Sequence, residues 1–285
     1  MTQPASGRLI AGVTVETGAA EVEIRGPLLD RRFPRSGVSM LADRSRALVR
    51  IPEVATFAVL GGARVVVEPA AGADPIAVDA WLQGTVQAFA MAQRGLFALH
   101  ANAADIEGRC VAICGARGVG KSTAVLRLGQ RGHAMVADDI CPLELGDGGV
   151  VTHHPARRSA RVSPQTAEAL GIDVSGAVES TTEGKVILPA PAAEPGPVES
   201  IVALLVRDTE TVIRRRLPPS NAVAVLRGNA YREGVIGRIW PAELFQWAAG
   251  LASRVPVVLV TRPRERWTVD DVADAIEEAA AEAGM

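Results

Sequence analysis

The 285-residue chain has no charge excess: 30 Lys and Arg stand against 32 Asp and Glu, a net charge of −2. A near-neutral balance gives no general attraction to nucleic acid or to an anionic membrane, so neither is expected as a partner. Cysteine is scarce too. Cys110, Cys114 and Cys141 are odd in number and follow no zinc spacing. Two of them lie in one apolar run, where cysteine behaves as a small buried hydrophobe. A reduced, cytoplasmic setting is therefore the expectation. No uninterrupted apolar run approaches the roughly 20 residues of a membrane span. The opening Met1 to Arg8 carries neither a basic n-region nor the apolar core of a signal peptide. Abundant alanine lifts the hydrophobic fraction to 48% without implying a membrane. The basic clusters Arg157-Arg158 and Arg214-Arg215-Arg216 read more readily as solvated rims or strand ends than as binding patches.

What is present is a complete phosphate-binding loop: Gly115, Ala116, Arg117, Gly118, Val119, Gly120, Lys121 and Ser122, with Thr123 next in line. The three glycines let backbone N–H groups turn inward around an anion. Lys121 can reach the β- and γ-phosphates of a nucleoside triphosphate, and the Ser122 hydroxyl can ligate Mg²⁺. The flanks suit the loop. Arg109 to Cys114 is a short apolar run that fits a buried parallel strand. Ser122 to Arg131 has Val125, Leu126 and Leu128 on one side and Arg127, Gln130 and Arg131 on the other, as an amphipathic helix requires. Gly132 closes it. Strand, glycine loop and helix aim a helix N-terminus at phosphate.

Around this core the chain is expected to be α/β. Residues 1–72 read as a small β-rich N-terminal domain, with strand candidates at Val13–Glu16, Glu21–Arg25 and Arg64–Glu68, interrupted at Gly26-Pro27, Phe33-Pro34 and Gly61-Gly62. Residues 73–285 read as the P-loop domain. A helix is expected over Ala77–Arg94 with Trp81, Val86, Phe89 and Ala90 buried, then a strand at Leu96–Ala101 and a hairpin-like return through Asp105–Gly108. Pro142–Val151 suggests two strands about a Gly-rich turn, and Ser163 caps a helix that Pro164 opens. Ser180–Pro197, rich in Pro, Gly, Ala and Glu, reads as a long mobile connection. Strands are expected at Ile201–Val206 and Val255–Val260, and helices at Glu243–Ser253 and from Val269 onward.

The acidic pair Asp138-Asp139 comes seventeen residues after Lys121, at the end of the run His133–Ala137. A strand parallel to the one feeding the loop would deliver both acids beside a bound Mg²⁺ and γ-phosphate. A carboxylate there can hold a metal-bound water or take the proton of an attacking hydroxyl. Adjacent acids on an extended strand point opposite ways, so the two should have different jobs. His100 ends a strand fifteen residues before Gly115. Taken alone it reads more readily as a satisfied structural histidine than as a functional one.

The run from Leu99-His100-Ala101, through Gly115–Ser122, to Arg131-Gly132-His133 and Val136-Ala137-Asp138-Asp139 resembles the core of HPr kinase/phosphorylases and their HPr-kinase-like relatives. The resemblance covers about residues 80–145. It implies a phosphoenolpyruvate-carboxykinase-like P-loop fold that phosphorylates a serine hydroxyl with ATP and Mg²⁺. By position, it implies that Lys121 binds phosphate, Ser122 binds Mg²⁺, Asp139 accepts the serine proton, His100 is its companion, and Asp138 supports the metal. The family's Glu-x-Arg-Gly-Leu-Gly stretch, source of a further metal carboxylate, has no counterpart here. That argues against HPr as the acceptor and against a reverse phosphorylase activity. Arg157 to Leu170, Tyr231 and the Val255–Val257 strand look more like the shorter HPr-kinase-like proteins, some of which phosphorylate a peptide serine, including lasso-peptide precursors. Arg157, Arg158, Arg161 and Lys185 are candidates to approach the triphosphate or an acidic acceptor, with a surface role equally compatible. The expected partner is thus a peptide or small protein bearing an acceptor serine, and homo-oligomer formation stays open. Two rivals also stay open: a small-metabolite kinase, for instance on free serine, and a non-catalytic ATP-sensing module.

Overall fold

The computed structural model describes residues 12–24, 37–154, 159–175, 178–180, 185–189 and 196–283. The chain forms two compact units, one of residues up to Phe97 together with Arg232–Glu243, the other of Ala98–Tyr231 together with Leu244 onward. The sequence reading divides the chain at residue 72, whereas packing joins the helices after that point to the first unit.

The first unit is built on a five-stranded sheet of β1 (Thr14–Thr17), β2 (Ser39–Ala42), β3 (Arg46–Ile51), β4 (Ala55–Leu60) and β5 (Arg64–Pro69), in the order β1-β5-β4-β3-β2. All neighbours are antiparallel except β1 with β5. Of the expected strand Glu21–Arg25, the described part up to Ile24 is not extended. Ala20–Glu23 is a one-turn helix, α1, which buries Ala20 and Ile24 against Leu48, Ala58 and Val66 on one face of the sheet. Gly26-Pro27 and Phe33-Pro34, where the sequence suggests breaks, lie outside the described residues. At the β4–β5 turn, Gly62 has φ 67°, and a Cβ there would stand 2.6 Å from the Ala90 carbonyl. Only glycine lets that turn lie against the helix that follows.

That helical stretch runs as α2 (Pro75–Trp81), a π-turn (Leu82–Val86) and α3 (Gln87–Gln93). Asp74 caps α2 by accepting from the Ile76 N–H, with Pro75 at the first position. Val86, Phe89 and Ala90 are buried as expected, but Trp81 is only partly so, with Arg232 lying over its ring at 5.6 Å.

The second unit contains the glycine-rich loop. Its sheet contains β6 (Phe97–Leu99), β7 (Ala101–Ile106), β8 (Arg109–Gly115), then, after helix α4 (Lys121–Gln130), β9 (Ala134–Ala137), β10 (Cys141–Leu145) and β11 (Val151–His153). A separate three-stranded sheet follows, with β12 (Ser159–Val162), helix α5 (Pro164–Ala169), β13 (Val178–Ser180) and β14 (Lys185–Pro189) in the order β12-β14-β13. Lys185–Pro189 is therefore a strand, not part of a mobile connection. The chain returns to the main sheet with β15 (Gly196–Arg207) and β16 (Ile213–Arg216), and after α6 (Pro219–Gly228), α7 (Glu233–Ile239) and α8 (Pro241–Arg254) ends in β17 (Val257–Pro263) and α9 (Val269–Ala283). The α7 helix belongs to the first unit.

At the centre, β15 runs parallel to both β8 and β17. Next to β8 lies β7, antiparallel, and then β9, antiparallel to β7, so β9 runs in the same sense as β8 one strand removed. The β7–β8 hairpin turns through Glu107 (φ 54°) and Gly108 (φ 83°), two positive values in succession, which give the type I′ turn that matches strand twist. Helices α4 and α9 cover one face. There Ile113, Val125, Leu128, Val202, Val260 and Ile276 form one buried cluster. Side chains of this size contribute roughly 1.5–3 kcal/mol each when fully buried. The polar side of α4 is not left to solvent: Arg131 bridges Asp270, Asp274 and Glu277 of α9, and His133 meets Glu277 at 3.0 Å. The Arg131-Gly132-His133 segment thus holds two helices together. Arg214, first of the three arginines in its cluster, pairs with Glu278 and Glu282, also on α9.

Candidate functional site

The phosphate loop occupies the carboxyl edge of the parallel strands, where open α/β sheets bind ligands. Its form follows from sterics. Gly115 has φ 143°, and a Cβ there would approach the Leu204 carbonyl oxygen to 2.6 Å and Val119 Cγ1 to 3.0 Å. Gly118 and Gly120 also have positive φ, 79° and 107°, and Gly120 is the N-terminal flank of α4. Ala116, Arg117 and Gly118 are exposed, whereas Val119 tucks under the loop and its N–H donates to the Ala116 carbonyl. Thr123 lies in the first turn of α4. Lys121 is buried, and its Nζ donates to the Gly115 carbonyl at 2.7 Å and the Ala116 carbonyl at 3.3 Å.

Two lines of polar side chains meet at this loop. In the first, Lys121 Nζ stands 3.2 Å from His100 Nε2, while His100 Nδ1 stands 3.0 Å from the Asp139 carbonyl and 3.3 Å from its Oδ1. Two oxygens at Nδ1 and an ammonium at Nε2 assign a neutral ring, with Nδ1–H donating and Nε2 accepting. The imidazole is itself held. The His100 N–H donates to the Asn229 carbonyl, and Tyr231 lies tilted against the ring at a centroid distance of 6.0 Å.

In the second line, Asp138 is 3% exposed, and its Oδ1 accepts from Asn102 Nδ2 at 2.7 Å. The same Asn102 amide reaches the Ser122 hydroxyl at 3.5 Å, the outer limit of a hydrogen bond. Both acids come from one local feature. They lie just past β9 rather than on an extended strand. The Ile140 N–H donates to the Asp138 carbonyl across Asp139, whose φ is 69°. This is a γ-turn with a positive central φ, a rare and strained form. Strain of this kind gathers at sites where the backbone must aim a side chain. The turn separates the acids, so Asp138 faces Asn102 and Ser122 while Asp139 faces His100.

The loop residues, His100, Lys121, Ser122, Asp138 and Asp139 are thus gathered at one edge of one sheet. Arg157 and Arg158 lie outside the described residues. Arg161 and Lys185 sit on the neighbouring strands β12 and β14. Sequence reasoning passed over three residues that the site uses. Asn102 was detectable as a lone amide in a strand of small residues, two positions after His100 and so on the same side of the chain. Tyr231, singled out only as a point of resemblance, packs on His100. Arg262, whose Nε donates to the Val119 carbonyl at 2.9 Å, was marked only by closing an apolar strand.

Ser122 and Asp138 offer hard oxygen donors. Among the described residues no three or more His, Cys, Asp or Glu side chains gather to hold a metal. Mg²⁺ in phosphoryl-transfer sites takes one or two carboxylates and completes its shell with phosphate oxygens and water, a demand that Ser122 and Asp138 fit. The three cysteines are free and buried. Burial pushes the Cys114 and Cys141 thiols up to about 12, which keeps them protonated and unreactive near neutrality.

The chain is similar in structure to an HPr(Ser) kinase/phosphatase. That protein, from Coxiella burnetii, is 17% identical, and the match covers 65% of this chain and 94% of the other at a TM-score of 0.34. At that score the likeness decides neither fold nor activity, and the functional reading rests on the residues of the site. No protein-family model matches the chain, and no curated protein matches it. Among the described residues no helix is long and apolar enough to cross a membrane.

Proposed function

We propose that the protein is an ATP- and Mg²⁺-dependent kinase that transfers the γ-phosphoryl group to a serine hydroxyl of a peptide or small protein. The observation that carries this reading is the line Asp139–His100–Lys121, which joins a candidate proton acceptor to the phosphate-binding lysine through one imidazole. Backbone N–H groups of the loop and the start of α4 cradle the phosphates. Lys121 turns from the Gly115 and Ala116 carbonyls to the γ-phosphate, keeping its charge beside the group in transit. Asp139 accepts the serine proton as the hydroxyl oxygen attacks the γ-phosphorus. The bond from phosphorus to the β–γ bridging oxygen breaks, and ADP leaves. His100 fixes the Asp139 carboxylate through Nδ1–H and receives a hydrogen bond from Lys121, so the acid and the cation are positioned relative to each other. Ser122 and Asp138 would hold Mg²⁺, which supplies charge neutralisation on the phosphate oxygens when bound. Catalysis of this kind is mainly positioning and electrostatics.

The peptide acceptor is tested by incubating the protein with γ-labelled ATP and two panels, serine-containing peptides and small hydroxyl metabolites including free serine. Label on peptide serine alone is expected. Label confined to a metabolite would replace the peptide acceptor with a small molecule while keeping the kinase.

A further inference from the structure

We propose that Arg262 is a second cationic arm of the phosphate site, its guanidinium engaging the anionic oxygens of the bound polyphosphate opposite Lys121. This rests on the reading of the loop as a nucleotide site. Arg262 lies near the carboxyl end of β17. The strand registers set Leu204 of β15 beside Gly115 of β8 and beside Val260 of β17, so Arg262 stands two residues beyond the row from which the loop departs. There its Nε donates to the Val119 carbonyl at 2.9 Å and its Nη1 to the Pro263 carbonyl at 3.0 Å. Its Nη2 reaches to 4.0 Å from where a Cβ on Gly120 would be, alongside the last loop residue before α4.

The partners are informative. Both are neutral carbonyls, and among the described residues no carboxylate pairs with this half-buried guanidinium. Other arginines of this unit, such as Arg131 and Arg214, meet two or three acids each. Withdrawing a cation from water without a counter-charge is costly. Burial, followed by the neighbouring Arg264, lowers the proton affinity of Arg262, as expected for a cation lacking an anion. A polyphosphate in the loop supplies that anion. The planar fork suits it, since Nε can stay on Val119 while the outer nitrogen turns to a phosphate oxygen.

The test compares full-length wild type, Arg262→Gln and Arg262→Lys by calorimetric titration with Mg·ATP at several salt concentrations, and by thermal melting without nucleotide. For Arg262→Gln, ATP affinity is expected to fall roughly 10- to 100-fold, as for loss of a hydrogen bond between charged groups. The salt dependence of binding should become shallower, and the nucleotide-free melting temperature should not fall. Arg262→Lys should recover part of the affinity. Unchanged ATP affinity in Arg262→Gln would overturn the proposal. So would weakened binding with unaltered salt dependence and a lowered nucleotide-free melting temperature, because that pattern belongs to a clamp on Val119 and not to a phosphate contact. Failure of wild type itself to bind ATP is a separate result, which removes the nucleotide site and this arm with it.

Discussion

Asn102 is 2% exposed and binds a buried carboxylate, so its removal has a defined consequence at the scale of one residue. In Asn102→Ala the Asp138 carboxylate loses the Asn102 hydrogen bond, a contact to a charged group that contributes about 1.5–3 kcal/mol. Because the same amide approaches Ser122, both candidate metal donors lose their orientation. The Mg²⁺ concentration for half-maximal transfer is expected to rise roughly 10- to 100-fold, the usual effect of losing an outer-shell partner. A magnesium titration of phosphoryl transfer checks this, with denaturant unfolding run beside it. The loop and the acidic pair were legible in the sequence because their chemistry demands a contiguous pattern of residue types. Asn102, Tyr231 and Arg262 were not, since each acts through a neighbour that only the folded sheet supplies.

At the scale of elements, local signals read well and pairing read poorly. The helix cap at Ser163, the Gly132 stop and the β7–β8 turn follow from residue types within a few positions, and each appears where those types predict. The β14 strand was hidden because its stability comes from β12 and β13, and composition reports only its Pro- and Gly-rich surroundings. The Asp138-Asp139 turn was hidden for a related reason. Nothing in two adjacent acids announces a positive φ, and the conformation is imposed by the elements around it. Strand β11 yields a prediction of its own. His153 is buried, its Nδ1 has no hydrogen-bond partner among the described residues, and burial lowers its pKa from the ordinary 6.5. A base whose pKa is lowered on folding binds protons more readily when unfolded, so stability is intact above about 6.5 and declines as pH falls below it. Thermal melts from pH 7 to pH 5 should therefore fall more steeply for wild type than for His153→Gln. Parallel curves would remove His153 as the cause.

For the whole molecule, near-neutral net charge and concentrated local chemistry belong to one account. The near-neutral sequence supplies no strong global field, and the proposed polyphosphate site is a small set of groups at one sheet edge. Parallel strands β8, β15 and β17 bring the loop and Arg262 to that edge, and β9, running in the same sense, brings the two acids. The central claim is that this edge transfers a phosphoryl group, with Asp139 as the proton acceptor. Single-turnover transfer from γ-labelled ATP, measured for wild type and Asp139→Asn alongside ATP affinity, tests it most directly. Asparagine keeps the size and removes the base, so the account predicts transfer reduced by about 100-fold or more, within the range for losing general-base catalysis, with ATP affinity nearly unchanged. Equal transfer in both proteins, or ATP binding with no transfer in wild type under any acceptor, would contradict it.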